Sequence, residues 1–187
     1  MTASHAHAIG NTGKGLDTYI RSIVREMIVT TVGYKNSDME RGNELEAAAR
    51  MLYEFTTGNM VEEVGFITYN EYVGCSPDGL VGDDGLLELK ARNNEIHFNL
   101  LLEGEVDSAT IWQMNAVMLI ADRKWCDFGS YNPNFKAQPL FTKRFYADSV
   151  MAMKLKMGFT QGESMIKDLL NKQPIKNEIN ENSRNDS

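Results

Sequence analysis

From Leu16 the apolar positions Leu16, Tyr19, Ile20, Ile23, Val24, Met27 and Ile28 recur at spacings of three and four. That period predicts an amphipathic helix. The fifteen residues before it are small, polar and Gly-rich and read as loop, and residues 33 to 39 break the pattern again. A second helix is predicted from about Glu40 to Thr56, with Leu45, Ala48, Ala49, Leu52 and Phe55 on its apolar face, ended by the turn residues "TTGN". The pattern then changes to short apolar runs separated by Gly, Asn or Asp: "VEEVGFITY", "EYVGCSPDGLV" and "LLELKA" read as strands.

Residues 107 to 121 return to helix, with Asp107 or Ser108 as N-cap. "WCDFGSYNP" and "LFTKRFYA" read as two further strands, and residues 148 to 170 as a last helix with a bend at Gly158 or Gly162. From Asn171 onward "NKQPIKNEINENSRNDS" has almost nothing to bury and is expected to be a disordered tail. The order of elements predicts an α/β fold in which a mixed sheet is covered by helices. The length of 187 residues fits one domain, expected over 1–170 with the tail at 171–187.

Composition narrows the class only a little. With 42% hydrophobic and 24% charged residues the chain is ordinary for a globular protein. No apolar run has the length of a membrane span, and no signal peptide is read at the start. Two cysteines, Cys75 and Cys126, make neither a disulfide framework nor a zinc motif, so a reducing cytoplasm is the simplest setting. The net charge of −7 weighs mildly against a nucleic-acid partner. A metal-binding carboxylate cluster would account for part of that charge, with basic residues confined to a local patch.

The chemistry concentrates in "SPDGLVGDDGLLELK", residues 76 to 90. Residues two apart in a strand share a face, so Glu88 and Lys90 point together while Leu87 and Leu89 point to the opposite layer. If "DDG" (Asp83 to Gly85) is a three-residue loop with Gly85 left-handed, Leu80 lies opposite Glu88 and Asp78 opposite Lys90. All three charges then share one face, where a one-residue slip would separate them. Two carboxylates held close resist joint ionisation, and a divalent cation relieves the conflict. Oxygen ligands favour Mg²⁺ or Mn²⁺ over zinc. An ammonium beside such an ion suits phosphodiester hydrolysis. On residue types alone, a solvated hairpin with a surface Glu-x-Lys pair is the competing account, and an EF-hand loop fits poorly because Leu80 and Gly82 follow Asp78 at alternate positions.

Three blocks in order resolve that competition. "RGNELEAAARMLYEFTTG", then "CSPDGL" with "GLLELK", then "WQMNAVMLIADRKWCDFGSYNP" together resemble the PD-(D/E)XK nuclease superfamily, and within it the lambda-exonuclease (YqaJ-type) family of phage recombination nucleases. The resemblance spans residues 41 to 134. It implies a restriction-endonuclease-like core, a central mixed β-sheet flanked by α-helices. It implies metal ligation by Asp78, Glu88 and the Leu89 backbone carbonyl, with Glu46 completing the acidic cluster at a second ion and Glu44 as a weaker substitute. Lys90 would assist the attacking water and Gln113 would bond the phosphate region, while Ser76 and Ser4 of "TAS" would contact phosphates.

In the family a further segment with an Arg for the 5′-phosphate precedes "TAS". With this chain starting at Met1 that Arg is expected to be absent, leaving Lys14 or Arg92 as substitutes, and Ala91-Arg92 stand where the family has Cys-Pro. The resemblance implies an Mg²⁺-dependent DNA exonuclease (Mn²⁺ as substitute, two ions) that resects the 5′ strand of linear duplex DNA to mononucleotides. It further implies a phage or prophage origin in a bacterial cytoplasm, a homotrimeric ring and a single-strand annealing protein as partner, with no membrane. A structure-specific endonuclease and a catalytically silent DNA-binding accessory protein stay open beside it. His5, His7 and His97 read as solvated histidines, Trp112 and Trp125 as core, and the eleven methionines as core or subunit packing.

Overall fold

The computed structural model describes residues 1–29 and 37–172, and side chains outside 37–43. A 3₁₀ turn at Ala3–His5 leads into α1 (Ala6–Asn11) and α2 (Gly13–Ile28), followed by α3 (Ser37–Thr57). The strands β1 (Val61–Glu62), β2 (Ile67–Asn70), β3 (Val73–Cys75), β4 (Gly79–Val81) and β5 (Gly85–Ala91) come next. Then come α4 (Asn94–Glu103), α5 (Ser108–Ile120), β6 (Trp125–Tyr131), β7 (Leu140–Tyr146) and α6 (Ser149–Asn171). The main sheet runs β1-β4-β5-β6-β7 and is mixed: β5 and β6 are parallel and the other pairs antiparallel, while β2 and β3 form a separate hairpin. This is the expected helix-flanked mixed sheet.

Alternation along the strands divides the core into two layers. Leu86, Cys126 and Phe128 face a large cluster with α1, α2, α5 and α6, through Ile9, Leu16, Ile20, Met114, Met118, Leu155 and Ile166. Val81, Leu87 and Leu89 face the other way and pack with Ala49 and Tyr53 of α3. β5 is therefore buried on both faces, as expected for a central strand with a parallel neighbour.

Several sequence expectations need correction. The opening segment is helical and its small residues are packing residues. Met1, Ala3, Ala6 and Ile9 are buried, and a side chain at Gly10 would run into the Trp112 ring. α1 and α2 meet at Thr12, whose φ of 54° makes the corner. Residues 37–39, expected to lie in a break, are helical, and 33–36 fall outside the described residues. Tyr53, not Phe55, anchors α3: Phe55 is 87% exposed because two residues on is about 200° around the helix from the sheet-facing side.

α4 has no counterpart in the sequence pattern. Its apolar Ile96, Phe98 and Leu102 face outward while His97 and Leu100 are buried, so its hydrophobic periodicity is inverted. The Asp107 cap holds, its carboxylate accepting from Thr110 N. Gly58, with φ of 73°, closes α3 as the turn residues predict. Of the tail expected at 171–187, Asn171 closes α6 instead, and residues 173–187 lie outside the described residues. No described helix is long and apolar enough to cross a membrane.

Candidate active site

The β4–β5 hairpin differs from the expected register but keeps its parity. Val81 pairs with Gly85, Leu80 with Leu86 and Gly79 with Leu87. The three-residue loop is therefore Gly82-Asp83-Asp84, and Gly82 is its left-handed residue at φ 56°, not Gly85. A shift of two residues leaves every side chain on its predicted face. Continued one step past Gly79–Leu87, the register places Asp78 level with Glu88 instead of Lys90.

Glu88 is 2% exposed, an unusual place for a carboxylate. Its Oε1 accepts from Lys90 Nζ at 2.6 Å and from Gln113 Nε2 at 2.6 Å. Gln113 reaches it from α5, which covers this face of the sheet, so a polar residue on an apolar helix is explained by what lies beneath it. Half-buried Asp78 turns its Oδ2 to the backbone N–H of Leu89 at 2.6 Å. In a strand the N–H and C=O of one residue point to the same side. The Leu89 carbonyl thus also points toward Asp78, past the first residue of β4, where the ladder offers no partner.

Electrostatics marks the pair as unresolved in the protein alone. Burial, then the charge of Glu88, pushes Asp78 up to about 7, against the opposing bond from Leu89 N–H. Burial also raises Glu88, with Lys90 working in the other direction. Among the described hydrogen bonds, Asp78 Oδ1 and Glu88 Oε2 have no donor. Two inward carboxylates with free oxygens and a strand carbonyl beside them are a hard-oxygen donor set suited to Mg²⁺ or Mn²⁺.

The remaining expected residues fall into place unevenly. Glu46 is half-buried and Glu44 exposed, and the Glu46 charge contributes to the upward pressure on both Asp78 and Glu88. The Glu46 carboxylate, however, bonds Arg50 Nη2 at 2.9 Å, and no three acidic, His or Cys side chains converge on one point among the described residues. Arg92 is half-buried and engaged, with Asp107 Oδ2 at 2.9 Å and Thr110 Oγ1 at 3.1 Å, so it ties the end of β5 to the start of α5.

Ser76 is exposed beside buried Pro77. Ser4 is exposed too and lies 3.1 Å from Thr2 Oγ1; Thr2 bridges Gly74, so the two serines flank one seam. Lys14 is exposed at the start of α2. Cys75 is buried and its thiol is pushed up to about 11 by burial and then Glu88, which disfavours the thiolate.

Sequence reasoning missed three polar networks around the site. Asp127 accepts from Tyr53 Oη at 2.7 Å and from Arg144 Nε and Nη2 at 2.7 and 2.8 Å, and Arg144 stacks 3.6 Å over Trp125. His97 is buried, not solvated as expected: its ring bonds Ser130 Oγ at 2.9 Å and the Gln138 carbonyl at 3.1 Å. Asn132 bonds the Arg92 carbonyl and Asn94 at 3.0 and 2.9 Å. Each joins residues more than thirty positions apart, and no local pattern announces such pairs. A cavity of about 770 Å³ opens beside the last network, lined by Leu45, Arg92, Asn94, Tyr131, Asn132 and Asn134 among others.

Comparison with known proteins bears on the family and the fold. The chain aligns with LHK-Exo, an alkaline exonuclease from Laribacter hongkongensis, at 32% identity and a TM-score of 0.77, covering 92% of each chain. A structure of LHK-Exo in complex with dAMP aligns at 31% identity and 0.78, again covering 92% of both chains. A phage related exonuclease from Haemophilus somnus 129PT shares the fold at 15% identity and a TM-score of 0.69, covering 91% of this chain and 95% of that one. No curated protein matches. The YqaJ-like viral recombinase domain matches over residues 1–124, a stretch that contains Asp78, Glu88, Lys90 and Gln113. On that match, over well more than half its length, the chain belongs to the YqaJ-like viral recombinase domain family.

Proposed function

We propose that this protein is a metal-dependent deoxyribonuclease that resects the 5′ strand of linear duplex DNA to mononucleotides and leaves 3′ single strands for recombination. The observation that carries the reading is the meeting of Asp78 and buried Glu88 with Lys90 and Gln113 on one face of the central strand. Alkaline exonuclease activity in the aligned LHK-Exo supports the exonuclease class.

Asp78, Glu88 and the Leu89 carbonyl would hold one Mg²⁺ or Mn²⁺, and Glu46 a second. Bound there, the ion supplies Lewis acidity toward the phosphate and lowers the pKa of water. The protein's own groups do the rest. Lys90, 30% exposed at its side chain, has an ammonium that reaches both Glu88 and solvent, the place from which it can orient a water and meet negative charge on the phosphate. Gln113 holds Glu88 through Oε1, and the second Glu88 oxygen has no donor among the described residues. Ser76 and Ser4, on the seam next to Asp78, would bind phosphate, with Arg92 reachable only if it releases Asp107. The reading includes a homotrimeric ring around DNA and a phage single-strand annealing protein as partner.

Purified protein with Mg²⁺ should degrade linear duplex DNA and spare covalently closed circles, and label at the 5′ end should be released as mononucleotide. Cleavage of closed circles assigns the protein to the endonucleases on this fold. Absence of any DNA degradation with Mg²⁺ or Mn²⁺ removes the enzyme reading.

A further inference from the structure

We propose that Arg50 is a positioning residue that holds the Glu46 carboxylate away from Asp78 and Glu88, so that a second divalent ion binds in competition with its guanidinium. The inference rests on the metal-dependent reading above and on Glu46 as a ligand. It starts from a mismatch: the charge of Glu46 reaches both acidic residues, yet its side chain does not converge with theirs.

What holds it is visible. Arg50 lies one turn further along α3, and its Nη2 sits 2.9 Å from Glu46 Oε1. Its other arm, Nη1, pairs with Glu63 just after β1, which fixes the guanidinium from outside the helix. Arg50 is only 12% exposed at its side chain against 35% for Glu46. Exposed pairs one turn apart are weak, but shielding from solvent strengthens the attraction. The guanidinium is not fully satisfied: its Nε is buried with no partner among the described residues. Releasing Glu46 would leave a second donor of this shielded guanidinium without a partner, so an ion that recruits Glu46 must offset that cost, whereas Glu88 is already held by Lys90 and Gln113.

A carboxylate already neutralised by a cation binds a second cation less well, since the ion must displace the first. Glu63 has the opposite influence. By sharing the guanidinium, it weakens the grip of Arg50 on Glu46.

The test is Mn²⁺ binding to the metal-free full chain without DNA, followed by isothermal titration and by loss of the free-ion electron paramagnetic resonance signal. Wild type should show a tight and a weak ion. Arg50→Gln should tighten the weak ion about 5-fold, of the order of a partly shielded pair, and leave the tight ion nearly unchanged. Arg50→Lys should restore wild-type affinity. Glu63→Gln, at an exposed position that leaves the core intact, should move the weak ion in the opposite direction. A purely structural Arg50 would not produce these opposite signs.

Unchanged or weakened binding of the second ion in a folded Arg50→Gln overturns the proposal, as does a Glu63→Gln that tightens it. Should Arg50→Gln fail to fold, the sign seen in Glu63→Gln decides alone. Two ions bound with wild-type affinity by Glu46→Gln would remove Glu46 as a ligand and this proposal with it. Hydrolysis centred on Asp78, Glu88 and Lys90 would stand untouched by that result.

Discussion

At the scale of single residues, the site is an arrangement of charges the protein does not neutralise by itself. Lys90 offers its ammonium to Glu88, while among the described ion pairs none is made by Asp78, which the Lys90 charge reaches only through space. Removing Lys90 deletes a donor placed where charge develops on the phosphate, so Lys90→Ala should lower kcat by about 10²–10³-fold with the fold retained. Single-turnover cleavage of an end-labelled duplex, alongside circular dichroism, measures this. A second prediction comes from Asp78, whose carboxyl is pushed up to about 7 from an ordinary 3.8.

A folded acid with a raised pKa holds its proton longer than the unfolded chain does. Stability therefore falls as pH rises between those two values and is flat above about 7. Asparagine is neutral throughout. In EDTA, the stability of Asp78→Asn relative to wild type should climb from pH 4 to 7 and then level off, as urea unfolding at several pH values would show. With Mg²⁺ the wild type should regain the advantage, because only it can bind the ion. Equal pH slopes for the two proteins would mean that Asp78 ionises normally.

At the scale of elements, two glycines of α6 make a sharp comparison. A side chain at Gly158 would meet the carbonyl and backbone of Ile9 in α1, neither of which can turn aside. At Gly162 it would meet the end of the Met1 side chain, which can. Gly158→Ala should cost about 1–3 kcal/mol despite alanine's better helix propensity, and Gly162→Ala should stay within about 0.5 kcal/mol of wild type. Thermal or denaturant melts of both variants decide it. Both glycines are close-approach points that helical period does not announce, and the reason is general to this chain. Period and turn chemistry reveal an element when its apolar side faces the core. That holds for α2, α5 and the strands.

The same signals are silent where packing is made by small residues, as in Ala3, Ala6 and Gly10, or where the apolar side faces out, as in α4. The site was legible to a similar depth. Alternation put Glu88 and Lys90 on one face, and the faces held through a two-residue register shift because parity survives even steps. Two further features went unread. One is Arg50 as the partner of Glu46, although their i,i+4 spacing on a helix is the usual signal of such a pair. The other is the Tyr53–Asp127–Arg144 link between α3 and the sheet, which no local pattern announces. For the first, spacing shows the pair but not that it turns Glu46 from the site; the second joins residues 74 apart.

At the scale of the whole molecule, the outstanding feature is an apolar stripe outside the core. Val150, Met153 and Met157 follow one another at i, i+3 and i+7 along α6 and are all exposed, and Tyr146, the last residue of β7, is exposed as well. A soluble helix normally reserves that spacing for burial. The sequence reading of the methionines as core or subunit packing divides here: Met114 and Met118 are core, and Met153 and Met157 are left for another surface. Within the proposed ring, this stripe is a candidate subunit contact, as are the exposed Met51, Phe55 and Met60 at and beyond the end of α3. A single charge on the α6 stripe should therefore disrupt assembly while leaving the fold in place, because Met153 is more than half exposed.

Met153→Glu should shift the light-scattering mass from three chains toward one while leaving the melting temperature nearly unchanged. The consequence for catalysis is specific, because a closed ring cannot leave duplex DNA sideways and a single subunit can. Met153→Glu should keep its initial cleavage at a DNA end, where Asp78, Glu88 and Lys90 act within one chain. After excess unlabelled duplex is added, it should stop releasing nucleotides from the original substrate, while the wild type continues. Loss of the initial cleavage together with the trimer would show instead that a neighbouring subunit completes the site.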